Sequence, residues 1–293
     1  MNLDSCDICP RLCKISRYKE IGYCGAGVNV KVARAMLHQW EEPCISGKNG
    51  AGAVFFSHCN LRCIFCQNRV ISHEGKGIEI TVKRLAEIFI RLEREGAATI
   101  DLVTPTHFAP QILEALKIAK GNGLHIPIVY NTSCYERKET IDDLKGLIDV
   151  YMPDFKFFSE EIAAKYSGAS DYVEKAKEAI FAMFDQVGKF EIADGVMRKG
   201  LLIRHLILPG HRHDSMKFLD WAWENFGDTV YLSLMRQYTP QEGASGNLAR
   251  RLTTFEYESV VEYAAFLGFT NAYTQEKTAA SNEFVPSFDG SGL

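Results

Sequence analysis

The stretch ATIDLVTPTHFAPQILEALKIAKGNGLHIPIVYNT, residues 98–132, sets two short apolar runs on either side of an amphipathic one. ATIDLVTP (98–105) and IPIVYNT (126–132) lack the in-and-out alternation of a half-buried strand and read as strands covered on both faces. APQILEALKIAKGNG (109–123) reads as a helix closed by glycine. Strand, helix and strand at this spacing make one unit of a parallel sheet.

The unit recurs in both directions. Upstream, AGAVFFSH (51–58) is a small apolar strand, and TVKRLAEIFIRLEREG (81–96) carries Leu85, Ile88, Phe89 and Leu92 at helical spacing. Downstream come a helix at 138–147, a strand at 148–155, a helical run over 159–187 and a strand at 199–210. A helix at 215–226, a strand at 229–238, a helix at 253–268 and a last strand at 269–276 complete the series. About six alternations predict an α/β fold: a partial (β/α)6 TIM-like barrel of parallel strands, with a doubly wound open sheet as the alternative. Residues 1–50 form a Cys-rich, metal-binding N-terminal extension, irregular apart from a short strand within 28–37. The barrel covers 51–276, and an irregular tail covers 277–293.

The chain has 293 residues, 46% of them hydrophobic, enough to bury a sizeable core. A net charge of −4 with no long basic run disfavours nucleic acid or an anionic membrane as partner. The N-terminus is polar and no apolar run is long enough to span a bilayer, so a cytoplasmic location is expected. In that reducing setting the nine cysteines are not expected to pair, and seven of them fall into two clusters. Clustered thiols there read as metal ligands.

CNLRCIFC (59–66) directly follows the strand at 51–58, which puts Cys59, Cys63 and Cys66 at the C-terminal end of a barrel strand, where such barrels keep their chemistry. Thiolates suit zinc or iron–sulfur clusters. A structural zinc site closes with four ligands, and this loop offers three; His58 adjoins Cys59 and points off the other side of the backbone. A [4Fe–4S] cluster with one iron left open fits three thiolates better. The other group, Cys6, Cys9, Cys13 and Cys24, has the spacing C-x2-C-x3-C-x10-C and no vacancy, with Pro10 and Gly25 suited to the turns of a metal-wrapped loop. A second [4Fe–4S] cluster is the preferred occupant and zinc the alternative.

CNLRCIFC resembles the CxxxCxΦC signature of the radical S-adenosylmethionine (SAM) enzymes, with Phe65 at Φ. The resemblance implies SAM on the open iron, one-electron reduction by a flavodoxin or ferredoxin, and a 5′-deoxyadenosyl radical that abstracts hydrogen from a substrate. Within this superfamily, IRHLILPGH (203–211) resembles a stretch of the pyruvate formate-lyase activating enzymes, which makes Arg204 a SAM contact. YNTSCYE (130–136) resembles their SAM-lining strand end and brings in Asn131, Thr132 and Ser133, with Cys134 in place of glycine, either a catalytic thiol facing the substrate or an inert packing residue. DVYMPDFK (149–156) implies Asp154 and Lys156 near the substrate or radical, and Asn68 joins the cofactor contacts. LVTPTHF (102–108) lacks the family's GGE-like motif, so Thr104, Thr106 and His107 stand in for it. Arg236, at the end of the sixth strand, is placed to touch SAM or substrate. The implied substrate is a protein glycyl radical enzyme. A small molecule, peptide or nucleic acid is the second reading, and a non-catalytic iron–sulfur or zinc protein that carries electrons or scaffolds a partner is the third. Glu41 and Glu42 read as solvated charges.

Overall fold

The computed structural model describes residues 1–280 and 285–293. After the cysteine-rich start come β1 (Val30–His38), α1 (Pro43–Ser46), β2 (Ala51–Phe56), α2 (Arg69–Ser72), β3 (Ile78–Ile80) and α3 (Val82–Arg94). The middle of the chain gives β4 (Ile100–Val103), α4 (Ala109–Gly121), β5 (Ile128–Thr132), α5 (Lys138–Asp143), β6 (Val150–Pro153), α6 (Glu160–Ser167) and α7 (Tyr172–Val187). It ends with β7 (Glu191–Ala193), β8 (Val196–Leu206), α8 (Arg212–Phe226), β9 (Tyr231–Met235), α9 (Thr254–Leu267) and β10 (Ala272–Thr274).

Strands β2, β4, β5, β6, β8 and β9 lie side by side in that order, all parallel, each followed by helix. This is the expected partial (β/α)6 barrel, extended by β10, which adds parallel to β9. Every residue of β2, β5 and β6 is buried, which is why their sequences show no alternation. Helix α3 presents Leu85, Ile88, Phe89 and Leu92 to the core, and Thr81 caps its start by accepting from the Arg84 N–H. The predicted 159–187 helix is two helices: Gly168, at φ 60°, ends α6 in the left-handed conformation that favours glycine. Among the described residues no helix is long and apolar enough to cross a membrane.

Two sequence boundaries shift. Strand β1 runs antiparallel along β2 from Val32↔Phe56 to His38↔Ala51, so part of the N-terminal extension belongs to the sheet. The C-terminal tail returns to the same edge: the Gly290 N–H donates to Ala33 O, and Phe288 packs edge-on against Phe55. Between β1 and β2, α1 fills the barrel from the N-terminal end of its strands. Cys44 and Ile45 pack there with Val129, Met152 and Leu202, and Ile45 O accepts from the Thr99 hydroxyl at 3.0 Å. The floor of the barrel is closed by its own chain.

Candidate active site

After Phe56 the chain leaves the sheet at the C-terminal end of β2. Left-handed turns at His58 (φ 76°) and Arg62 (φ 56°) fold the next residues back so that Cys59, Cys63 and Cys66 line one cleft. Each thiol is close enough to another of the three for their charges to interact. The Leu61 N–H donates to Cys59 Sγ at 3.4 Å and the Ser72 hydroxyl to Cys66 Sγ at 3.3 Å. Burial pushes the Cys59 and Cys63 thiols up, while the Lys156 ammonium pulls them back. These thiols hold their protons until a metal group displaces them.

The cleft encloses about 1070 Å³ open to solvent and is walled by the C-terminal ends of the parallel strands. Thr104 comes from the end of β4, Asn131, Thr132 and Ser133 from β5, Asp154 and Lys156 from β6, Arg204 from β8, and Gln237 and Tyr238 from beyond β9. Phe65 and Asn68 line it from the cysteine loop. The Phe65 ring stands edge-on to Phe157, Tyr166 and Tyr238 at 6.0, 6.3 and 6.2 Å between centroids, which leaves a flat apolar wall. Ser133 Oγ and Thr239 Oγ1, also in the lining, are buried without a hydrogen-bond partner, as groups awaiting a polar ligand are.

Below the mouth lies a charged knot that the sequence did not reveal. Arg204 donates through Nε to Asp154 Oδ1 at 2.6 Å, through Nη1 to Glu41 Oε2 at 2.9 Å, and through Nη2 to Asn131 Oδ1 at 2.9 Å. Glu42 Oε2 lies 3.4 Å from the same Nη1. Glu41 and Glu42 are therefore buried partners of Arg204 and not solvated charges. Lys156 Nζ sits 2.8 Å from Asp154 Oδ2. Burial alone would raise the Asp154 carboxyl, but Arg204 and Lys156 together hold it below the usual range.

Other predicted residues stand behind the cleft. Thr106 donates to Glu136 Oε1 at 2.5 Å, and Thr132 bonds the same oxygen. Burial pushes this Glu136 carboxyl up to about 7 against those hydrogen bonds. Glu136 sits in the polar run NTSCYERKET, where one more charge carries no signal; its burial between Thr106 and Thr132 gives it a role. His107 is buried with Nε2 on Ser57 O at 2.7 Å, and burial holds its imidazole down to about 3. Cys134 does not face the cleft: its thiol is wholly buried and points at Ala176 O in α7, 3.6 Å away. Arg236 also misses it, because its guanidinium lies over Tyr257 and bonds Thr254 Oγ1 at 2.7 Å.

Three thiols thus line the mouth of a parallel barrel, beside an apolar wall and unpartnered hydroxyls. The chain matches the radical SAM superfamily over residues 53–197. That stretch, which includes the cysteine loop, is similar to a radical SAM domain. The chain is 29% identical over 272 residues to an uncharacterised protein of Methanocaldococcus jannaschii, covering 89% of this chain and 74% of that one. It is 26% identical over 143 residues to pyruvate formate-lyase 1-activating enzyme of Escherichia coli K12, covering 46% of this chain and 58% of the enzyme. In fold it is similar to a radical SAM methyltransferase from Sphaerobacter thermophilus (TM-score 0.52, 14% identity, 74% of this chain and 63% of that one). It is also similar to Streptococcus suis SuiB bound to S-adenosylmethionine (TM-score 0.50, 14% identity, 74% of this chain and 48% of SuiB). The chain thus spans about half the length of SuiB and somewhat more of the activating enzyme.

A radical SAM domain takes a [4Fe–4S] cluster and SAM, and this cleft fits them. Cys59, Cys63 and Cys66 would hold the cluster. Phe65 and the strand ends at Asn131 to Ser133 offer an apolar face and polar edges for the nucleoside and amino-acid ends of SAM. Among the described residues no three His, Cys, Asp or Glu side chains close on a single metal ion. A cluster takes each thiolate on a different iron and so does not require the three sulfurs to converge on one ion.

Proposed function

We propose that the protein is an oxygen-sensitive radical SAM enzyme of the reducing cytoplasm that activates a partner protein by taking hydrogen from a backbone glycine. The cluster and SAM, when bound, supply one-electron cleavage of the sulfonium to methionine and a 5′-deoxyadenosyl radical. The chain's own part is to hold, orient and exclude. The cysteine loop fixes the reactive centre at the cleft mouth, and the aromatic shell of Phe65 keeps water from one wall. Lys156 and Arg204 keep Asp154 ionised beside the reaction space. Because α1 fills the barrel from below, the substrate enters through the mouth. The electron comes from a reduced flavodoxin or ferredoxin, and Cys6, Cys9, Cys13 and Cys24 hold a second metal group, an iron–sulfur cluster or zinc.

The cysteine loop lining the cleft carries the reaction class. The 143-residue match, at 26% identity, to pyruvate formate-lyase 1-activating enzyme supports the substrate class. The test is to mix reconstituted enzyme, SAM, reductant and a candidate glycyl radical enzyme without oxygen. A glycine-centred EPR doublet is expected. 5′-Deoxyadenosine release with no protein radical on any such partner would move the substrate to another class, a peptide, a small molecule or a nucleic acid.

A further inference from the structure

The N-terminal cysteines lie against the loop of Cys59. Residues 3–6 and 14–17 pair as a short ladder, with the Cys6 N–H on Ile15 O, the Lys14 N–H on Cys6 O and the Arg17 N–H on Leu3 O. Within this hairpin Leu12 (φ 43°) and Lys14 (φ 55°) are left-handed non-glycine residues on either side of Cys13. Such backbone costs about 1 kcal/mol or more per residue and persists only where its surroundings fix it. The local apolar cluster is thin: Cys6, Ile8 and Ala109, with Leu3 and Ile15 at its edge. So small a core does not hold strained turns unaided.

The four thiols meet at this hairpin, Cys24 coming from the segment after it. Cys24 lies close enough to Cys6, Cys13 and Cys9 for their charges to interact. Cys6, Cys9 and Cys24 are buried, and Cys13 Sγ accepts the Tyr23 N–H at 3.5 Å. As at the first site, no three of these side chains close on a single ion among the described residues, whereas tetrahedral zinc draws its thiolates to about 2.3 Å from one centre. Three contacts tie this group to the first. The Asn60 side chain lies beside the Cys9 thiol, and Arg11 Nε donates to Asn60 O at 3.0 Å. Gly25 packs so tightly on His58 that a Cβ there would lie 2.8 Å from its Nδ1. Asn60 and His58 flank Cys59.

We propose that Cys6, Cys9, Cys13 and Cys24 hold a second [4Fe–4S] cluster, with all four irons taken by thiolate, seated directly behind the loop that carries the SAM-binding one. It rests on the metal reading of the quartet given above and does not depend on SAM cleavage. The full four-thiolate set leaves no place for SAM or substrate on this cluster. Its contacts make it a brace for Cys59 and put the two clusters near enough for their unpaired electrons to interact when both are reduced.

The test is anaerobic reconstitution with iron and sulfide, zinc also present, of the full-length wild type and two variants. The triple variant Cys59→Ala, Cys63→Ala, Cys66→Ala reads the quartet alone. It should retain about four irons per chain and no zinc, with a reduced-cluster EPR signal that SAM leaves unchanged. The double variant Cys9→Ala, Cys24→Ala should also retain about four irons, with a signal that SAM shifts; the wild type should hold about eight and give a spectrum broadened beyond the sum of the two. One zinc and no iron in the triple variant, or no metal there at all, overturns the proposal. Should the double variant fold poorly, the triple variant and the wild-type iron count still decide. A double variant blind to SAM, beside a triple variant that keeps its irons, would sink the SAM site and leave this proposal standing.

Discussion

Arg204 illustrates what a residue's neighbours do to its role. Its resemblance-based assignment is to SAM, yet three of its nitrogens are engaged with Asp154, Glu41 and Asn131. Removing it leaves three acids crowded in a buried space, which is costly because a buried charge without its partner has lost both water and counter-ion. Arg204→Ala should therefore lower unfolding stability by about 3–5 kcal/mol, read from the urea midpoint, before any effect on SAM is considered. Lys156 is the cation beside both Asp154 and Cys63. Lys156→Met should leave iron content intact while slowing 5′-deoxyadenosine release by about tenfold or more, measured under single-turnover conditions. His205 sets a pH limit. Its Nδ1 lies 2.6 Å from Phe155 O and its Nε2 2.8 Å from Ser215 Oγ, with the ring stacked on Phe218. Burial holds the imidazole down to about 4, below its unfolded value near 6.5. The unfolded chain then binds the extra proton between these values, so stability is full above pH 6.5 and falls as the pH drops toward 4. The loss reaches about 3 kcal/mol for this residue, and His205→Gln should remove that share of the slope in urea titrations run from pH 7 to pH 4.

At the scale of elements, the turns around the cysteine loop are the sensitive parts. Gly75, in the bend between α2 and β3, has φ 66°, and a Cβ there would lie 2.2 Å from His58 Cε1. Gly75→Ala should cost about 1–3 kcal/mol and reduce iron retention at Cys59, Cys63 and Cys66, measured by iron content after gel filtration. The strands and most helices were legible because burial on both faces and helical spacing leave direct marks, as in IPIVYNT and in the Leu85–Leu92 face. The break at Gly168 is written in SGASD, a glycine stop followed by Ser and Asp start residues, which the expectation of one helical run over 159–187 overrides. Strands β3 and β7 are three residues each and owe their form to partners β1 and β8, which no local pattern announces. The same is true of α1: four residues that look like a loop become the floor of the barrel because the barrel offers them an apolar bore.

Across the whole molecule, the six parallel units deliver side chains from six strand ends to one rim, and the cysteine loop is the first of them. Most of the rim was readable: Asn131, Thr132, Ser133, Asp154, Lys156 and Thr104 all line the cleft. Arg236 was not, and for Cys134 the packing reading holds over the catalytic one, because a one-residue change of facing at a strand end decides between cleft and core. Glu41 and Glu42 were invisible because their partner Arg204 is remote in sequence, and Glu136 because Thr106 reaches it from another strand end. The central claim is that Cys59, Cys63 and Cys66 make a centre that cleaves SAM. The direct measurement is product release from anaerobically reconstituted protein given SAM and dithionite. Methionine and 5′-deoxyadenosine should appear together with the wild type and vanish when any one of the three cysteines is replaced by alanine. A cluster-loaded wild type that binds SAM and releases neither product, or release that persists in Cys63→Ala, would contradict it.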